Sequence, residues 1–287
     1  YETIMPTPSP IDGGGGGGGG GEGQEPPDDC TSLATDPTQV GLVSPSGCNI
    51  GVPTEPNIRP TKTPCEKIKS KFADTRFKEK YNELNKPENF DLDHEKAFIM
   101  RYPPIGTNIP ASYFQVDMPP CSTNNEDTVM PSSNAGLAGL MHTHTNLTCN
   151  GSYPIKVPSP VDIKYLLNTL LSQANQYTGS YSNAYSITIT SEGNYMLMYT
   201  GTDYPGSLNY DTVTKLKEDY TKDFQTLYER KDNVTQADIE KLFTKFMKEK
   251  INKPGLEVYR VTPNSAIKLE YDPASPNSVK ETPCPQF

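Results

Sequence analysis

The sequence predicts a mixed α+β or α/β domain, a sheet flanked by helices, preceded by a disordered or extended tail. Three observations lead there. Apolar residues recur at helical spacing in four segments, alternate at strand spacing in several others, and the stretch between Glu2 and Pro64 holds no aromatic residue. Interleaved periods of both kinds fit a sheet that buries its faces under helices.

The tail comes first. Residues 1–64 hold 13 Gly and 11 Pro, and such a segment has too little apolar surface to offset its chain entropy. The run Gly13–Gly21 reads as a flexible tether and Glu25–Asp29 as its acidic continuation. The chain opens on Tyr1 rather than methionine, as expected of a processed product that has lost an N-terminal anchor or an upstream domain. Residues 65–287 are long enough for one well-filled domain.

Within that domain Thr63-Pro-Cys-Glu66 is a capping box with proline at the first helical position. The helix it opens is expected to run to about Asn85, with Ile68, Phe72, Phe77 and Tyr81 on its apolar face. Pro87 and the polar residues 88–93 end it. Residues 95–102 alternate as a first strand, with Phe98, Met100 and Tyr102 on one face and Ala97, Ile99 and Arg101 on the other. Residues 111–118 read as a second strand, stopped by Pro119 and Pro120, and the apolar run Leu137–His144 as a third. Beyond a loop over 145–158, Ile163, Leu166, Leu167, Leu170, Leu171 and Ala174 form a helical stripe from Pro160 to about Tyr177. Residues 184–190 and 195–200 flank Ser191-Glu-Gly-Asn194 as a β-hairpin. Two amphipathic helices follow, one through Val213, Leu216, Tyr220, Phe224 and Leu227, the other through Ile239, Leu242, Phe243, Phe246 and Met247. This pair reads as an insertion at about 209–251 without a catalytic part. Residues 256–262 and 266–271 close the domain as a second hairpin around Pro263-Asn-Ser265.

Charge and composition exclude several functions. The chain carries −9; its tail, with 8 acids against 2 bases, accounts for −6 and leaves −3 for the body. A body so balanced has no basic stripe, so nucleic acid is not an expected partner. No stretch approaches the roughly 18 apolar residues of a membrane span. The glycine run lacks the Lys-Ser/Thr ending of a phosphate loop. The triplets at Asn146, Asn150 and Asn233 match the N-glycosylation pattern, which also arises by chance. Six cysteines, Cys30, Cys48, Cys65, Cys121, Cys149 and Cys284, form no Cys-x-x-Cys pair. Their even number in loops fits disulfides of an exported protein, periplasmic, cell-surface or extracellular. Cys65–Cys284 and Cys121–Cys149 are the expected pairs.

The chemistry concentrates in one place. Of three histidines, His142 and His144 stand one residue apart at the end of an apolar run. On a strand, residues i and i+2 share a face, so both imidazoles reach one metal ion. Asp162, in the first turn of the helix from Pro160, supplies a carboxylate ligand and leaves a coordination position for water. Ser159-Pro-Val-Asp162 is equally an ordinary helix start with a serine cap, and the two roles are compatible. His94 reads as a surface residue.

This constellation resembles the JAMM (Jab/MPN) zinc metallopeptidases, in a divergent bacterial-type form. Their pattern is an upstream glutamate, then His-x-His, then Ser-x-x-Asp at a helix start. His142 and His144 match the histidine ligands, Asp162 the carboxylate ligand, Ser159 the serine beside the metal-bound water, and Glu95 the glutamate. The resemblance spans about residues 66–271 and rests on these five. One departure is the 14 residues between His144 and Ser159, about twice the family's spacing, so a loop is expected to overhang the site. The resemblance implies a JAMM/cytidine-deaminase-like sheet, Zn2+ as cofactor, Glu95 as base and Ser159 as a donor to the oxyanion. It further implies a peptide or isopeptide bond as target, in a peptide or protein substrate. Two alternatives remain open: a catalytically silent binding or assembly module of a surface complex, and a toxin or processing module of a larger polypeptide.

Overall fold

A computed structural model of the chain describes residues 42–43, 49–50, 62–117, 134–147, 154–285 and 287. The chain divides into two units, Tyr1–Thr61 and Lys62–Phe287. Within the first, β1 (Leu42–Val43) pairs antiparallel with β2 (Asn49–Ile50).

The second unit is an α+β fold around one sheet of eight strands. In chain order these are β3 (Lys96–Arg101), β4 (Ser112–Asp117), β5 (Leu137–Thr143), β6 (Tyr185–Ile189), β7 (Asn194–Tyr199), β8 (Leu256–Thr262), β9 (Ser265–Tyr271) and β10 (Val279–Pro283). Across the sheet the order is β10-β9-β8-β7-β6-β5-β3-β4. Every neighbouring pair is antiparallel except β5 and β6, which run parallel. A parallel pair needs a crossover, and here it is helical. The crossover comprises α4 (Pro160–Tyr165), a π turn over Leu166–Leu170 and α5 (Leu171–Thr178).

Register sorts the side chains into layers. His142 lies opposite Ala97 of β3 and Thr188 of β6, and Leu140 opposite Ile99 and Ser186. That face receives the crossover helix. It also receives α7 (Gln236–Phe246), since Tyr195, opposite Thr188, donates its hydroxyl to Glu240 at 2.9 Å. The long α6 (Tyr210–Arg230) packs beside α7, with the Tyr220 and Phe246 rings 4.5 Å apart. The reverse face carries Tyr185, whose ring meets Phe77 edge-on at 5.6 Å. It is covered by α1 (Pro64–Ala73) and α2 (Thr75–Leu84). Every residue of β5, β6 and β7 is buried, so these strands lie in a middle layer, wet on neither side. Gly139 is required there: a Cβ on it would sit 2.3 Å from the Tyr185 ring.

Several sequence expectations shift. The single helix expected over 64–85 is two, because Asp74 turns extended (ψ 116°) and caps α2 by accepting from the Arg76 amide at 2.9 Å. One helical turn, α3 (Pro87–Phe90), occupies part of the stretch read as its end. β10 is an added strand, and the last hairpin turns through Pro263 and Asn264 alone. Cys65 and Cys284 are joined across 219 residues, fastening α1 to the chain that leaves β10. Cys121 and Cys149 lie outside the described residues. No described helix is long and apolar enough to cross a membrane.

Candidate metal centre

The site stands where β5 ends. His142 belongs to the strand and is 2% exposed. The strand stops one residue short of the sequence expectation, at Thr143. His144 nevertheless stays in line, because its backbone amide donates to the Ile189 carbonyl of β6 at 2.9 Å. Continued pairing is what keeps the two imidazoles on one face.

Asp162 arrives from α4, held by a complete capping box. Its backbone amide donates to Ser159 Oγ at 3.2 Å, and its Oδ2 accepts from the Ser159 amide at 2.7 Å. A carboxylate in the first helical turn also meets the positive end of the helix dipole. Proline at the first helical position needs no donor there, so Ser159-Pro-Val-Asp162 presents its acid with little freedom to move.

These elements converge. His142 Nε2 lies 3.1 Å from His144 Nε2 and 3.2 Å from Asp162 Oδ1, and His144 Nε2 lies 3.5 Å from Asp162 Oδ2. Glu95, just before β3, approaches from the more open side, its Oε1 3.7 Å from His144 Nε2 and its side chain 32% exposed. His142, His144 and Asp162 form a group able to hold a metal ion, their ligand atoms all within 4.8 Å of one another. His144 Nδ1 donates to the Ile155 carbonyl at 2.9 Å, which turns Nε2 toward the group. His142 Nδ1 is buried with no hydrogen-bond partner among the described residues.

The electrostatics are those of a tight cluster, closed around the histidines and Asp162 and more open at Glu95. Burial raises the Glu95 carboxyl above its ordinary value, against the pull of His144 and His142 and with the help of Asp162. Burial would also raise Asp162, but the His142 charge and hydrogen bonds with both imidazoles hold it well below the usual carboxylate range. Burial alone would depress His144. Its bond to Asp162, the charges of Glu95 and Asp162 and the Ile155 carbonyl instead lift it to about 9.

The loop between the histidines and Ser159 is anchored by residues that sequence reasoning passed over. Lys156, 5% exposed, donates to the Thr145 carbonyl at 3.0 Å and to Asn146 Oδ1, joining both arms of the loop. Burial pulls its ammonium down to about 8, opposed by Glu192 and Asp91. The Asn146 amide donates to Asp91 at 3.0 Å, so that side chain is already engaged. From α6, Tyr228 donates to the Pro154 carbonyl at 3.1 Å and buried Tyr220 to the Pro158 carbonyl at 2.8 Å. The helical pair assigned no catalytic part thus steadies the segment that carries Ile155 and Ser159. In the sequence Tyr220 belonged to a helical stripe and Tyr228 to none, and neither gave a sign of these carbonyls. The middle of the loop, residues 148–153, lies outside the described residues, and with it the expected overhang. His94 pairs with Asp93 at 2.7 Å and is not one of the grouped ligands.

Compared with known proteins, the chain matches no family model, no curated protein and no solved structure.

Proposed function

We propose that this chain is a zinc-dependent hydrolase of peptide or isopeptide bonds, organised like the JAMM metallopeptidases that its motif resembles. One observation carries the reading. The two Nε2 atoms stand 3.1 Å apart, close to the roughly 3.3 Å that separates tetrahedral ligands at zinc's usual 2.0–2.1 Å, and the Asp162 carboxylate faces both, Oδ1 at 3.2 Å from His142 and Oδ2 at 3.5 Å from His144. Two imidazoles and one carboxylate are also a common donor set for catalytic zinc, which leaves a fourth position to water or substrate.

Bound zinc would supply a Lewis acid that polarises an amide carbonyl and activates water at neutral pH. The chain's own residues do the rest. Glu95 stands beside His144 but outside the group of three, with a carboxyl that burial makes more basic. It takes the proton from the attacking water and delivers it to the leaving amine. Asp162 stays ionised in its cap and neutralises part of the ion's charge. Ser159 accepts from the Asp162 amide through oxygen, and its hydroxyl proton is offered to the oxyanion of the tetrahedral intermediate. The Cys65–Cys284 bridge suits an oxidising compartment, so the substrate is a peptide or protein met after export.

The test is metal analysis joined to a cleavage assay on a mixed set of fluorogenic peptides. The parent should hold about one zinc per chain, His142→Ala and His144→Ala little or none. Glu95→Gln should keep the metal and lose about 10²–10⁴-fold in turnover. Equal cleavage by Glu95→Gln, or full zinc in His142→Ala, would sink the reading.

A further inference from the structure

Three buried polar atoms on neighbouring positions of β5 and β6 have no hydrogen-bond partner among the described residues: His142 Nδ1, Thr188 Oγ1 and Ser186 Oγ. Their residues are 2%, 0% and 1% exposed. β5 and β6 run parallel with His142 opposite Thr188 and Leu140 opposite Ser186, so all three polar side chains point to the same face of the sheet. The crossover helix covers that face, its π turn of Leu166, Leu167 and Leu170 lying against both strands.

An isolated group of this kind is costly. Leaving a buried donor or acceptor unmade costs about 1–3 kcal/mol, and native interiors rarely leave such atoms alone, still less three side by side. The imidazole makes the point sharper. With a metal ion on Nε2, which faces His144 and Asp162, a neutral His142 would carry its proton on Nδ1 and need an acceptor behind it. For His144 the Ile155 carbonyl fills that part. For His142 no protein group does, and the side chain directly across the register is a hydroxyl.

We propose that Thr188 is the positioning residue of His142, acting through one buried water that accepts from Nδ1, bonds Thr188 Oγ1 and reaches Ser186 Oγ. A single water satisfies two to four polar groups in a polar pocket, and these three atoms are buried, on one face of adjacent strands, and not hydrogen-bonded to one another. Thr188 thereby fixes the His142 tautomer and the direction of its Nε2. The inference rests on the zinc reading above, and it assigns the outer partner that the second histidine requires.

The experiment titrates zinc against a chromophoric chelator for the parent, Thr188→Val, Thr188→Ser and Ser186→Ala. Thr188→Val keeps the shape and removes the hydroxyl, and should weaken zinc about 10–100-fold. Thr188→Ser should restore most of the affinity, and Ser186→Ala should cost less than Thr188→Val. The metal-free Thr188→Val chain should unfold close to the parent, because the hydroxyl bonds the water and makes no direct hydrogen bond to a described residue; a purely structural role predicts a clear loss. The cobalt-substituted Thr188→Val protein should show altered d–d absorption, since the ligand's orientation is no longer fixed. A parent that binds zinc while Thr188→Val binds it equally well overturns this inference and leaves the metal site standing. A parent that binds none removes both. Should Thr188→Val not fold, a high-resolution map of the parent decides: density within about 3.2 Å of both His142 Nδ1 and Thr188 Oγ1 supports the bridge, and its absence overturns it.

Discussion

Thr63-Pro-Cys-Glu66 and Ser159-Pro-Val-Asp162 are one device in two surroundings. Each has a hydroxyl cap, proline at the first helical position and an acid two residues later, and each closes both reciprocal hydrogen bonds. At α1 the device sits in solvent. Glu66 is held below its ordinary value by the Thr63 backbone amide and hydroxyl, and its remaining ligand capacity faces water. At α4 the same bonds leave Asp162 Oδ1 turned to His142, in a setting that is 13% exposed. The comparison teaches that a cap aims a carboxylate, and that the neighbouring strand end decides what the aim is for.

The sharpest way to break the comparison is to remove each acid. Asp162→Ala should lose zinc by more than the roughly 100-fold expected of an outer partner, whereas Glu66→Ala should keep the parent's metal content. Equal losses in metal analysis would erase the distinction. Protons give the next largest effect. In the metal-free chain His144 titrates at about 9, so at neutral pH a cation must displace its proton. Affinity should therefore rise with pH, on the order of tenfold per unit for one displaced proton, and level off above the His144 value. A flat profile in chelator competition would show that no proton is displaced.

Smaller effects separate support from ligation. Tyr220→Phe leaves the Pro158 carbonyl buried and unpaired, a cost of about 1–3 kcal/mol readable in urea unfolding. Zinc affinity should fall with it, though less than in Asp162→Ala. Thr63→Ala removes the exposed cap, which is worth about 1 kcal/mol and a melting point about 2–4 °C lower. Zinc content should not change. A zinc loss in Thr63→Ala would mean that the exposed cap also shapes the site.

Much of this was legible in the sequence for local reasons. The β5 run is apolar throughout because both its faces are buried, and the stripes of the crossover helix and of α6 and α7 follow from one-sided burial. His142, His144 and Asp162 could be placed together because alternation along a strand and a cap at a helix start are both short-range geometry. What depends on distant chain was not legible. β10 buries Val279 and exposes Lys280, Glu281 and Thr282, so its sequence carries no alternation; its place comes from backbone pairing with β9. The break at Asp74 is one backbone angle in an otherwise helical stretch. Lys156, Tyr220 and Tyr228 act on carbonyls, which leave no trace in side-chain pattern. Cys65 and Cys284 could be matched because they bracket the domain.

The wide turn inside the crossover helix bears on how this protein can vary. There the Leu171 amide bonds back to Leu166, five residues away, so the coil holds one residue more than a regular helical turn would. Deleting one residue from 166–170 would restore the regular winding and leave Ser159 and Asp162 near their present phase, whereas adding or removing one in a regular stretch of the same helix would swing them by about 100° around the axis. The carboxylate's aim is thus a matter of phase, and a change in length is best tolerated at the wide turn itself.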